Sequence, residues 1–374
     1  MRRLSDPIDL LSPASLRFGD GTLAGLGDWI DAQGYRSPFI IADAFNATRL
    51  ECLGLGSPAC FGDVEPEPSL PNLVAAIAAT EAAQADVILG FGGGSAMDLA
   101  KLVAVMAGSG LSLGDISGPN CAPARRLGLV QIPTTAGTGS EVGTRALITD
   151  PETQAKIATE SPHLLADLAI IDPSLTHSLP AAITAATGVD AMAHCTEAFT
   201  SKRAHPIIDT YALKGIELVG RFLPRAVEDG SDSEARAGLS LAALYGGICL
   251  GPVNTTAGHA VAYPLGTRYK MAHGLANALI FPHVLAVNSS ATPTKAHQIT
   301  QALGFGGTSK ESIRLGALEF CQDLGIDMRL GAHGVAQTAL PDMATEAHSI
   351  RRLLDWNPVD LSVTDIEDLY QRAY

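Results

Sequence analysis

The sequence predicts an α/β region built on a parallel sheet, followed by a region made of helices. Three observations carry this. Before residue 180, short apolar runs alternate with segments of helical spacing, the pattern of strands joined by crossover helices. Two of those runs end in glycine-rich or threonine-rich loops. After Pro180, the apolar residues fall into long helical patterns joined by short polar connectors. The 374-residue chain therefore divides into 1–180 and 181–374.

That length supports more than one domain with ample core. A hydrophobic content of 47% and a charged content of 17% describe an ordinary globular protein. The net charge of −14 argues against nucleic acid or an anionic membrane as partner, since both need basic patches. Cys52, Cys60, Cys121, Cys195, Cys249 and Cys321 form no CxxC pair and read as reduced thiols. Asp6, Pro7 and Asp9 lie where a signal peptide needs an apolar core. The most apolar window, 238–253, is short for a membrane span and broken by Gly246, Gly247 and Gly251. The expectation is a cytoplasmic protein.

Taken in order, SLRFGDGTL reads as a strand and a turn, and Leu23–Gln33 as a helix stopped by Gly34. Phe39–Ala42 is a continuous apolar run, expected of a strand covered on both faces, and it ends at Asp43. Leu73–Ala85 is an alanine-rich helix. Val87–Leu89 is a buried strand, Gly92–Ser95 a glycine loop and Ala96–Met106 a helix. Leu129–Ile132 is a strand running into PTTAGTGSEV. Beyond Pro180 the clearest helices are Thr184–Ser201, Ile207–Glu228, Ser233–Leu250, Leu275–Asn288, Ser312–Leu324 and Asp365–Arg372.

Two loops suit a dinucleotide at the carboxyl edge of the sheet. In Gly92-Gly93-Gly94-Ser95, glycine lets the backbone approach a phosphate at a helix N-terminus, and Asp98 and Lys101 follow within two turns. In Pro133–Glu141, Thr134, Thr135, Thr138 and Ser140 supply hydroxyls without charge. Asp43, at another strand end, can accept from a ribose 2′-hydroxyl and repel a 2′-phosphate, or can cap the turn that follows.

Gly188–His273 holds a second constellation. Asp190 and His194 are four apart, on one helix face. His259 stands in a stretch, Ala237–Thr267, without Asp, Glu, Lys or Arg, where a buried imidazole needs a partner. Pro264, Gly266 and polar residues separate it from His273, which suits a helix end, a turn and a new segment. One carboxylate and three imidazoles form a mixed set suited to iron(II) or zinc. Each alone also reads as a satisfied core residue.

Together these segments resemble the iron-dependent (group III) alcohol dehydrogenase family over nearly the whole chain. FGGGSAMDLAK is similar to its GGGSxxDxAK, and PTTAGTGSEV to its PTTAGTGSE. TAATGVDAMAHCTEAFTS, HAVAYPLG and AHGLANALIFPHV resemble the segments that carry its metal ligands. The resemblance implies an N-terminal Rossmann-like domain, a C-terminal helical domain and an active site in the cleft between them. It implies Asp190, His194, His259 and His273 as ligands of Fe²⁺, with Zn²⁺ as the alternative. Gly93, Gly94, Ser95, Asp98, Thr134, Thr135 and Thr138 match the cofactor loops. Lys156 matches a lysine near the nicotinamide ribose, and Asp43 an acidic residue favouring NAD.

The implied activity is NAD-dependent alcohol oxidation or aldehyde reduction. Hydride passes between the substrate carbon and nicotinamide C4, in a homo-oligomer, dimer or larger. Many members carry HxxxHPLG where this chain has Tyr263 in AYPLG, so any proton relay falls to Tyr263 or water. A hydroxy- or oxo-acid substrate, held by Arg268, is the alternative within the family. A non-catalytic nucleotide-binding protein is the alternative outside it.

Overall fold

The computed structural model describes residues 2–152 and 156–374. Their contacts divide into two units. One comprises Leu11–Thr135 and Gly139–His177. The other comprises residues up to Leu10, Ala136–Thr138 and Ser178–Tyr374.

The first unit is the expected parallel α/β structure. Its strands are β1 (Ser15–Phe18), β2 (Pro38–Ala42), β3 (Ala59–Phe61), β4 (Val87–Gly92), β5 (Gly118–Pro119), β6 (Gly128–Pro133), β7 (Arg145–Thr149), β8 (Lys156–Glu160) and β9 (Leu168–Ile171). Six of them form a parallel sheet in the order β1-β9-β6-β4-β2-β3. Its helices are α1 (Leu26–Gln33), α2 (Leu70–Ala82), α3 (Gly94–Met106) and α4 (Leu113–Ile116). Phe39, Ile41, Ile88 and Leu129 enter one core, while Ile40, Ala42, Val87, Leu89, Val130 and Ile132 enter another. Successive strand residues point to opposite faces. With both faces covered, the runs are apolar without alternation.

Two details differ from the sequence reading. Helix α2 begins at Leu70, not Leu73, because the Ser69 hydroxyl caps it and Pro71 occupies its first turn. A second sheet, β5-β8-β7, was unexpected; its β7 and β8 are antiparallel.

The second unit is helical: α5 (Ala181–Thr200), α6 (Pro206–Glu228), α7 (Ser233–Leu250), α8 (Ala257–Tyr269), α9 (His273–Asn288), α10 (Pro293–Ala302), α11 (Lys310–Asp323), α12 (Leu340–Ser349), α13 (Arg351–Leu354) and α14 (Val363–Ala373). Helix α5 packs against α6, α7 and α9 and is buried at every residue from Gly188 to Thr200. A helix covered all round is a core element, so its polar residues must find partners inside the protein. The segment expected to be a helix end and turn after His259 is a helix through Tyr269, with Pro264 inside it.

All six cysteines are free thiols. Cys195, Cys249 and Cys321, in the helical unit, are buried; Cys52 and Cys121, in the α/β unit, are exposed and Cys60 is partly covered. Among the described residues no helix is long and apolar enough to cross a membrane.

Candidate metal centre and cofactor loops

Three helices bring the four candidate ligands together. Asp190 and His194 lie one turn apart on α5, His259 in the first turn of α8, and His273 at the start of α9. One ligand atom from each lies within 4.8 Å of all the others. The Asp190 Oδ1 atom is 3.7 Å from His194 Nε2 and 3.6 Å from both His259 Nε2 and His273 Nε2. Ligand atoms held about 2.1 Å from an ion in a tetrahedral array are separated by about 3.4 Å. The set therefore fits a divalent ion of the iron or zinc type, which accepts mixed oxygen and nitrogen donors.

The surroundings reinforce that fit. Glu197, also on α5 and buried, places Oε1 at 2.5 Å from His259 Nδ1. That bond holds a ring proton on Nδ1 and turns Nε2 towards Asp190 and His273, as a carboxylate behind a ligating histidine does. Glu197 Oε2 accepts from Thr256 N at 2.6 Å and from the Thr256 hydroxyl at 3.1 Å, so the carboxylate is itself fixed. Gly258 allows this approach, since an added Cβ would lie 2.6 Å from Glu197 Oε1. Burial alone would raise the Asp190 carboxyl, but His194, His273 and His259 outweigh it and hold it well below the usual carboxylate range. Burial pulls the His259 imidazole down; Glu197 and Asp190 overcome this and leave it above its ordinary value. A cation entering the cluster takes over the charge balance that this proton supplies.

Two polar groups of the centre escaped the sequence reading. Glu197 is seven residues after Asp190 and three after His194, a spacing that keeps one helix face and was the available signal. Asn277, four after His273, sends its Nδ2 to Asp190 Oδ1 at 2.7 Å. Tyr263 lies on α8, its ring 6.2 Å from that of His273, with the Arg352 guanidinium 5.6 Å above it. Arg352 donates to the Tyr263 hydroxyl at 3.4 Å. Arg268, offered by the sequence to a substrate carboxylate, is held by Glu346 at 2.8 Å.

In the α/β unit the glycine loop follows β4, and α3 starts at Gly94 with no side chain capping it. Its first N–H groups and the positive end of its dipole suit an anion. A Cβ on Gly92 would meet Ala96 Cβ at 2.8 Å and Asp43 Oδ2 at 3.0 Å, so this turn admits only glycine. The carboxyl ends of β2 and β6 are tied together here. Asn46 Nδ2 donates to Asp43 Oδ2 at 2.6 Å and to the Thr134 hydroxyl at 3.2 Å. Asp43 Oδ1 also accepts from the backbone of Phe45 and Asn46, so Asp43 does cap its turn.

Asp98 faces neighbouring protein: it accepts from the Ser140 hydroxyl at 2.6 Å and from Leu147 N at 3.0 Å. Lys101, 1% exposed, donates to Ser140 Oγ at 2.7 Å and to Arg145 O at 2.8 Å. Ser95 Oγ accepts from Glu67 N at 3.2 Å. Lys156 pairs with the Glu67 carboxylate and donates to the Thr149 hydroxyl, and burial lowers its pKa to about 8. Glu67 itself has φ 56°, a left-handed conformation uncommon for a residue with a Cβ.

Comparison with known proteins gives one consistent outcome. A sequence profile described as iron-containing alcohol dehydrogenase matches residues 13–173, and one described as Fe-containing alcohol dehydrogenase family, C-terminal, matches 184–374. The chain is 37% identical over 323 residues to long-chain-alcohol dehydrogenase 1 of Geobacillus thermodenitrificans, covering 84% of this chain and 81% of that one. Its structure is similar to a crystal structure of 1,3-propanediol oxidoreductase, with a TM-score of 0.92 at 32% identity, covering 99% of this chain and all of that one. It is also similar to sulfoacetaldehyde reductase from Bifidobacterium kashiwanohense in complex with NAD+, with a TM-score of 0.89, 26% identity and 99% of each chain covered.

Proposed function

The chain belongs to the iron-containing alcohol dehydrogenase family, and we propose that it interconverts a primary alcohol and its aldehyde with NAD(H) at one iron(II) held by Asp190, His194, His259 and His273. The observation that carries this reading is the buried cluster of one carboxylate and three imidazoles, with Glu197 behind His259. The relatives named for 1,3-propanediol and sulfoacetaldehyde point, by those names, to a terminal alcohol or aldehyde carbon.

When bound, the ion supplies Lewis acidity to the substrate oxygen, and the nicotinamide carries the hydride. The chain supplies position. Residues 1–180 bind the cofactor and 181–374 the metal and substrate. Gly93, Gly94, Ser95, Thr134, Thr135 and Thr138 line the pyrophosphate and nicotinamide half, with Asp98 bracing Ser140. Lys156 lies near the nicotinamide ribose, and Asp43 takes the adenosine ribose and excludes NADP. Tyr263 hands the hydroxyl proton to solvent, its phenol oriented by Arg352. The enzyme is cytoplasmic and works as a homo-oligomer, in line with its free thiols and the family's habit.

The test is a steady-state panel of primary alcohols, aldehydes and 2-oxo or 4-oxo acids, using protein reconstituted with iron(II) under argon. Turnover of aldehydes with NADH and its loss on chelation are expected. A preference for oxo acids would shift the substrate class, and full activity in chelator-treated protein would overturn the metal role.

A further inference from the structure

Asn277 is 2% exposed and lies one turn along α9 from His273. Its Nδ2 is 2.7 Å from Asp190 Oδ1, 3.1 Å from His259 Nε2 and 3.2 Å from His273 Nε2. An amide nitrogen has two hydrogens and here faces one carboxylate oxygen and two imidazole nitrogens, so the charged and nearest acceptor, Asp190, has first claim. The reverse orientation would press an amide oxygen against a carboxylate oxygen, so hydrogen bonding fixes which end faces the cluster.

The other end, Asn277 Oδ1, is buried without a partner among the described residues, and so is the Thr196 hydroxyl. Both side chains line one cavity of about 10 Å³, together with Glu197, Thr200 and Asn288. That volume is at the lower limit for a single water; most of the lining is apolar, and the unpartnered Asn277 Oδ1 and Thr196 hydroxyl are the polar atoms such a water would join.

We propose that Asn277 is a positioning residue for the metal centre, holding Asp190 in its ligating orientation and anchored from behind by Thr196 through one buried water. The inference rests on the reading that the cluster binds an ion. Its range is set by how hydrogen-bonding partners of metal ligands act elsewhere, where their loss costs about 10- to 100-fold in metal affinity.

The experiment loads full-length protein with cobalt(II), measures affinity by chelator competition, and records the visible spectrum and the metal-free melting temperature. Asn277→Leu keeps the branching at Cγ and removes the donor. It should lower affinity about 10- to 100-fold and shift the cobalt bands, and the metal-free melting temperature shows whether the fold is kept. Asn277→Ala should do the same if the leucine packs poorly. Thr196→Val should give a smaller loss that vanishes in the Asn277→Leu background, because the two act in series. Leucine and alanine variants that bind cobalt within about twofold of wild type, with unchanged bands, overturn the proposal. So does a Thr196→Val effect that is fully additive. Wild type that takes up no cobalt sinks the metal reading itself, whereas equal loading of wild type and variants sinks only this inference.

Discussion

The metal cluster and the glycine loops solve their problems with different parts of the chain. The cluster uses side chains from three helices, and the atoms that matter are side-chain oxygens and nitrogens with partners of their own. The loop after β4 uses backbone: a helix start without a side-chain cap and a glycine whose missing Cβ leaves room for Ala96 and Asp43. The first arrangement depends on residue identity and the second on backbone shape. Substitutions should therefore cost chemistry in one place and fit in the other.

The largest test of that contrast is His259→Ala or His273→Ala. Removing a ligand takes away Lewis acidity worth several kcal/mol, so turnover should fall on the order of 10³-fold or more. Circular dichroism should stay native. Metal analysis should show about one ion per chain in wild type and much less in either variant; equal metal content would exclude the residue from the centre.

Tyr263→Phe comes next. It keeps the ring beside His273 and Arg352 and removes the only transferable hydrogen. Loss of one positioned acid–base group costs about 10²–10⁴, here mainly in kcat. A variant within about threefold of wild type would leave water as the proton carrier.

On the cofactor side, Asp43→Asn keeps a capping oxygen for Phe45 and Asn46 and removes the charge. The preference for NADH over NADPH, set by repulsion worth about 1–3 kcal/mol, should narrow about 5- to 150-fold in kcat/KM. Wild type that uses NADPH equally well would refute the assignment.

The last test concerns the rule that buried polar atoms in the helical unit are partnered. His283, 1% exposed, has neither ring nitrogen paired among the described residues. Burial, then Arg314 and Arg372, pushes its pKa down to about 4. The unfolded chain, near the ordinary 6.5, then binds more protons than the folded one between those values. Stability is fully present above about pH 6.5 and is lost as pH falls towards 4, by at most about 3 kcal/mol. Urea midpoints followed by circular dichroism should drop over that range in wild type and much less in His283→Phe. Parallel curves would assign the acid sensitivity to another group.

Much of this was legible in the sequence where one residue type decides the outcome. The parallel sheet announced itself because strands covered on both faces are apolar throughout. The candidate ligands stood out because Asp190 and His194 share a helix face and His259 sits in an uncharged stretch. Glu197 and Asn277 did not. Carboxylates and amides are common on helices, and only the approach of α5 to α8 and α9 shows what these two touch. The run of α8 past His259 was missed because Pro264 and Gly266 read as a helix end and turn, and tertiary packing overrode them. The sheet β5-β8-β7 was missed because RALIT and KIATE carry polar and charged residues that break up the apolar signal.

The cysteine distribution gives the molecule a built-in chemical reporter. With Cys195, Cys249 and Cys321 sealed in the helical unit and Cys52 and Cys121 open to solvent in the α/β unit, a maleimide added to folded protein marks one unit only. Further thiols react as the helical unit opens, so the growth of label with denaturant counts its unfolding without a fluorophore or a substrate. A dye on Cys52 or Cys121 leaves the Asp190, His194, His259 and His273 cluster untouched, which makes the α/β unit the one to watch in a single-molecule measurement.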